Sequence, residues 1–206
     1  GGFPPSRFSI VAARPGVVTS PFAEQCMLRG AHHGHQQFMF SREMTAEEIG
    51  GRAVVQMADI DAGRWERGPD SMTEAEMRAA IRALERFSKY PIEVDFDESE
   101  IGAMLARLRV WLDVVVEPMR AEKPDIIPMV WVDYLQECKA AGKHQNRDTM
   151  IGVVMSGLAQ FARKYKVAMG VVAACNRANK KENRPPRADD LRESGATEYH
   201  ANTILL

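Results

Sequence analysis

The chain has 206 residues, 45% hydrophobic and 27% charged, with 27 Lys and Arg against 28 Asp and Glu for a formal net charge of −1. That is enough chain for one well-filled core and too little to need two, so a single domain over 1–206 is expected. The balanced charge excludes a global attraction to nucleic acid or to an anionic membrane and leaves any such binding to local basic patches. There is no run of about 18 apolar residues and no charged-then-apolar leader. Cys26, Cys138 and Cys175 are far apart with no C-x-x-C spacing, which fits a reducing, cytoplasmic setting. The start without Met and the apolar end NTILL read as a piece of something longer.

Short apolar runs alternate with helical patterns along the chain, the organisation of a parallel sheet with crossover helices. Strands are expected at 8–13, 37–41, 92–96, 127–133, 167–175 and 203–206. Several are apolar on consecutive positions, as required when both faces of a sheet are covered. After the first strand comes a turn-rich stretch, AARPGVVTSPF, leading into a helix-like segment. Met77, Ile81, Leu84 and Phe87 recur at helical spacing after a Thr73/Glu76 capping pair and are expected to face the core. Met150, Ile151, Val154, Leu158, Phe161 and Tyr165 draw a second core-facing stripe. Asp95, Asp97, Glu98 and Glu100 make an acidic turn at a helix start, where negative charge complements the dipole. Irregular chain is expected at 61–72, 137–148 and 176–190, the last rich in Arg and Lys.

Four places carry residue types suited to nucleotide chemistry. A strand followed by a tight turn at a helix N-terminus can cradle phosphate on backbone N–H groups; here Gly16 and Ser20 are present, while Val18 and Thr19 stand where the pattern wants glycine and lysine. An ordinary strand-to-helix turn is the competing reading. Asp133 ends the apolar run Met129-Val130-Trp131-Val132, a position from which a carboxylate reaches Mg²⁺ through water, or merely makes a turn. Glu43 follows a strand and could orient an attacking water, or be a solvated acid before a Thr45-capped helix. Asn176 emerges after GVVAAC, where a polar side chain could sense a γ-phosphate. His32, His33 and His35 read as a solvated helix end, with no acid or thiol nearby in sequence to complete a metal set.

In this order the segments AARPG (12–16), FSREM (40–44), VDYLQ (132–136), LAQFARKYKVAMGVVA (158–173) and DLRESGATE (190–198) resemble the C-terminal motor domain of DnaB-type replicative helicases over essentially the whole chain. The resemblance implies an α/β RecA-like P-loop NTPase fold, a mostly parallel sheet flanked by helices. It implies ATP and Mg²⁺ as cofactors, with Arg14, Pro15, Gly16, Val17, Val18, Thr19 and Ser20 forming the nucleotide loop. Glu43 would be the catalytic base, Asp133 the Mg²⁺-associated acid, Ser20 the direct Mg²⁺ ligand and Asn176 the counterpart of the family's glutamine sensor. Arg177, Lys180, Lys181, Arg184, Arg187 and Arg192 would face single-stranded DNA. The implied assembly is a homo-hexamer or an association with a replicative helicase, without a membrane.

The chain departs from the family pattern at informative places. Thr19 replaces the lysine and Val18 the glycine, removing charge at the phosphates and stiffening the loop. Arg42 stands where the family has Leu before the base. The chain stops at Leu206, before the family's arginine-finger region. Two readings follow: an ATP-dependent helicase motor domain with little or no turnover by itself, or an ATPase-deficient helicase-like module that binds DNA or a helicase partner.

Overall fold

The computed structural model describes residues 2–14, 19–175, 185–191 and 200–206. Among these, six strands form one sheet: β1 (Phe8–Ala13), β2 (Gln37–Ser41), β3 (Ile92–Asp95), β4 (Met129–Asp133), β5 (Ala168–Ala174) and β6 (Thr203–Leu205), in the order β3-β2-β4-β5-β1-β6. Every pairing is parallel. The expected strands agree with these to within two residues at each end. The largest difference, the start of β4, has a cause in the chain: Pro128 has no N–H to give a ladder and the strand begins after it.

The connections are helical: α1 (Ser20–His32), α2 (Ala46–Ala58), α3 (Ala62–Arg67), α4 (Glu74–Phe87), α5 (Ile101–Trp111), α6 (Glu117–Glu122) and α7 (Arg147–Tyr165), with a π turn at Leu112–Val116 joining α5 to α6. Side chains alternate across the strands and so divide the core into two layers. Phe8 and Ile10, Phe38 and Phe40, Val130 and Val132, and Met169 and Val171 face α5 and α7, meeting Met104, Leu108, Ile151, Val154 and Leu158. Val11, Met39, Trp131 and Val172 face the other way, onto Ala23 and Met27 of α1 and Ile49 of α2. Phe38 packs edge-on to Trp111 at 5.3 Å between ring centroids.

Local signals set most helix starts. Thr45 with Glu48 and Thr73 with Glu76 form capping boxes on α2 and α4, and Asn146 caps α7. The acidic turn becomes the cap of α5, where Glu100 accepts from the Ala103 N–H. The segment expected to be irregular over 61–72 instead holds α3 and a 3₁₀ turn at Pro69–Ser71, because Asp61 caps α3 by accepting from the Arg64 N–H. The α7 stripe is buried as expected at Ile151, Val154, Leu158 and Phe161. The α4 stripe is not. Ile81 and Leu84 are about half exposed, at 50% and 48%, while Ala80 and Ala83 are the buried residues of α4 and pack with Val54 and Ile60. Small side chains let α4 approach α2 closely, and that contact uses the alanine face in place of the larger one.

Gly170 lies opposite Trp131 in the β4–β5 register, and a Cβ added there would come within 2.5 Å of the indole ring. Gly170→Ala is therefore expected to destabilise the domain by roughly 1–3 kcal/mol through overpacking. Urea unfolding followed by tryptophan fluorescence measures this, and an unchanged midpoint would mean that the indole has room to move.

Candidate functional site

Because all six strands run in one direction, their C-terminal ends share one edge of the sheet, where ligands bind in open α/β folds. β1 delivers Arg14 to this edge, and α1 starts there at Ser20. Thr19, at the helix N-cap, has helical backbone angles and no side-chain capping bond, and the first turn of α1 contains no acid. The opening N–H groups of α1 therefore lack the side-chain acceptor that α2, α4 and α7 each have. Residues 15–18, comprising Pro15, Gly16, Val17 and Val18, lie outside the described residues.

Register brings the acids together. Ser41 at the end of β2 pairs with Asp133 at the end of β4, and the Arg42 N–H donates to the Asp133 carbonyl at 2.8 Å. Asp133 is 1% exposed. Burial pushes its carboxyl above the ordinary aspartate value; Ser20 beside it favours the ionised form, the Glu43 charge opposes it, and Arg52 favours it. Ser20 approaches the carboxylate, yet neither carboxylate oxygen completes a well-formed hydrogen bond with a described group. Glu43, two residues past β2, is solvent-exposed and close enough to act on both Asp133 and Tyr134.

The basic groups divide unevenly around this edge. Nε and Nη2 of Arg14 and Nη1 of Arg42 are buried without a hydrogen-bond partner among the described residues. Arg42 forms no described ion pair with Glu43; its charge acts on Cys138, whose thiol burial pushes up to about 12. Arg187 is exposed, its N–H held by Asp190 at 2.7 Å. Asn176, Arg177, Lys180, Lys181, Arg184 and Arg192 lie outside the described residues. His32, at the end of α1 opposite Ser20, meets the Tyr90 hydroxyl at 3.2 Å, and His35, in the connection to β2, accepts from the Ile127 N–H.

Sequence reasoning missed Glu24 and Arg52. Glu24, one turn after Ser20, is 2% exposed and paired with Arg52 of α2 at 3.3 Å. Burial raises its carboxyl first, Arg52 lowers it, and Asp133 raises it again. The available signal was a Glu at helical spacing with buried Ala23, Met27 and Ala31. A separate cleft of about 660 Å³, lined by Ser9, Cys26, Gln37, Met129 and Ala168, lies at the N-terminal strand ends, on the opposite edge from Ser20 and Asp133. Its lining also carries Arg29, His33 and His35 but no carboxylate, so it lacks the acids that a Mg²⁺ site needs.

An all-parallel sheet covered by helices on both faces is an architecture that RecA-like ATPase domains share with other doubly wound α/β folds. The chain superposes on "The Structure Of A DnaB-Like Replicative Helicase And Its Interactions With Primase" with a TM-score of 0.86 at 22% identity, covering 98% of this chain and 47% of that one. It superposes on a second solved structure, an ATPase domain, with a TM-score of 0.85, also at 22% identity, covering 98% of this chain and 69% of that one. The model of the DnaB-like helicase C terminal domain matches residues 1–206, and the chain belongs to that family. Among curated relatives it is 28% identical over 207 residues to the replicative DNA helicase DnaB of Pasteurella multocida (strain Pm70), covering 99% of this chain and 42% of the relative. It is 26% identical over 206 residues to that of Geobacillus stearothermophilus, covering 98% and 43%. The chain thus spans about two fifths of the length of these relatives.

The raised Asp133 carboxyl has a measurable consequence. An acid whose folded value exceeds its unfolded one makes stability fall as pH rises through the interval between them, here from the ordinary value of 3.8 up to the raised value. Asp133→Asn removes that loss. The stability of the variant relative to the parent is expected to increase as pH rises above about 4 in urea titrations. A relative stability that falls over this range would mean that ionised Asp133 is stabilised by its surroundings.

Proposed function

We propose that this domain is the motor of a DnaB-type replicative DNA helicase, acting in DNA replication on single-stranded DNA as part of a homo-hexameric ring, with ATP and Mg²⁺ as its cofactors. The observation that carries the reading is the gathering of Ser20, Asp133 and Glu43 beside the uncapped start of α1. Family membership supports it independently.

In this reading the residues 14–20 receive the nucleotide's phosphates, through backbone N–H groups and the Arg14 guanidinium. Ser20 and Asp133 suit Mg²⁺: a hydroxyl and a buried carboxylate with uncommitted oxygens are hard oxygen donors, and ionised Asp133 would gain a direct counter-charge beyond the through-space one of Arg52. Mg²⁺ there would neutralise phosphate charge. Glu43, exposed and without a described ion pair, is free to accept a proton from a water or to orient it. Asn176 takes the sensor position. Arg177, Lys180, Lys181, Arg184, Arg187 and Arg192 supply the phosphate contacts to DNA.

Thr19 limits the rate. Loss of one main electrostatic contact in such a site slows chemistry by about 10²–10³, so the chain alone turns ATP over slowly or not at all. The same substitution favours the second reading, an ATPase-deficient module that binds DNA or a helicase partner.

Val18→Gly with Thr19→Lys restores the turn and its cation. Affinity for a non-hydrolysable ATP analogue, measured by calorimetry, is expected to rise by about tenfold or more. An unchanged affinity would make residues 14–20 an ordinary turn. Arg184→Ala with Arg187→Ala is expected to weaken single-stranded DNA binding and flatten its dependence on log salt by about 0.7 per lost contact. An unchanged slope would put the DNA site elsewhere.

A further inference from the structure

α1 carries a charge in its buried face. Glu24 accepts from Nη1 of Arg52 through Oε1, while its Oε2 is buried and has no described partner. Arg52 reaches across from α2, and the same Nη1 lies 3.1 Å from the Met44 sulfur. Its charge also bears on Asp133, favouring the ionised carboxylate that Ser20 approaches. Among the described residues only Nη1 of Arg52 is engaged, and the side chain is 44% exposed. Nε and Nη2 are therefore available to an anion.

Arg52 has competing attractions. It borders a groove of about 550 Å³ running from Pro21 along α2 to α3, and Glu47, Glu48 and Glu66 line that groove. Exposed acids hold an arginine weakly. A buried carboxylate such as Glu24 is destabilising without its partner, so it holds Arg52 strongly. Glu24 thereby decides on which side of α2 the guanidinium rests.

We propose that Glu24 is a positioning residue that keeps Arg52 at the Ser20–Asp133 end of the cleft, where its free N–H donors supply to a nucleotide's phosphates the positive charge that Thr19 does not. This rests on the nucleotide site proposed above. It makes the cation of the site a side chain from α2 in place of one from the phosphate loop. A guanidinium forms paired, directional bonds to phosphate oxygens, so the contribution depends on orientation as well as on charge.

The test is calorimetry of the full chain with ADP and with AMP, because a phosphate contact changes the ratio of the two affinities and a general loosening of the fold does not. Glu24→Gln is expected to weaken ADP by about tenfold with AMP nearly unchanged. Arg52→Lys, which keeps the charge, is expected to retain most of the ADP preference. Glu24→Met with Arg52→Met removes both charges without stranding either, and is expected to lose the preference while thermal unfolding shows a folded domain. In a Thr19→Lys background the Glu24→Gln effect should shrink. Equal losses for ADP and AMP, or no loss, would overturn the proposal. If the parent binds neither nucleotide but Thr19→Lys binds ADP, the proposal falls and the phosphate-site reading stands; if neither protein binds, both fall.

Discussion

Parallel pairing of β1, β2, β4 and β5 is the constraint on which the rest of the molecule depends. A parallel ladder sends every strand out of the same edge, so residues far apart in sequence, Arg14, Ser41 and Asp133, arrive there together. An antiparallel sheet would scatter them over two edges. The same pairing requires a crossover between successive strands and cover on both faces. α1 meets both requirements at once: it packs Ala23 and Met27 against the sheet and points its uncapped N-terminus at the shared edge.

That edge is built unlike the core behind it. Behind it, Phe38, Val130, Val132 and Met169 are fully buried and contribute through packing alone. At the edge, two buried carboxyl groups with raised values lie within charge range of each other, with uncommitted oxygens and arginine N–H groups around them. Buried polar atoms without partners are costly, and a fold shaped only by stability would not collect them in one place. Their concentration at the C-terminal edge is what supports the proposed ligand site; the cleft at the other edge has one such atom, Gln37 Oε1, and no carboxylate.

Much of this was legible in the sequence, for physical reasons. Strands covered on both faces must be apolar at consecutive positions, and the runs at 8–13 and 37–41 delimit β1 and β2 as the structure has them. Thr73 with Glu76 announces the start of α4 because its capping bonds are local. The face that α4 buries is not local. Helical spacing favours Ile81 and Leu84, but α2 buries Ala80 and Ala83, and that preference belongs to the pair of helices. Glu24 was hidden for a related reason: an acid in a helix reads as surface unless its partner is known, and Arg52 lies 28 positions away on another element. The roles of Ser20, Asp133 and Glu43 came from family resemblance; the sheet register accounts for why those side chains can meet.

Whether the C-terminal edge receives a nucleotide's phosphates is tested most directly by soaking crystals of the chain with a non-hydrolysable ATP analogue and Mg²⁺. Density is expected for the phosphates against the first turn of α1, with Mg²⁺ between Ser20 and Asp133 and Glu43 facing the terminal phosphate. Density in the cleft lined by Cys26, Gln37 and Met129, or no nucleotide density at all under saturating conditions, would contradict a phosphate site at this edge.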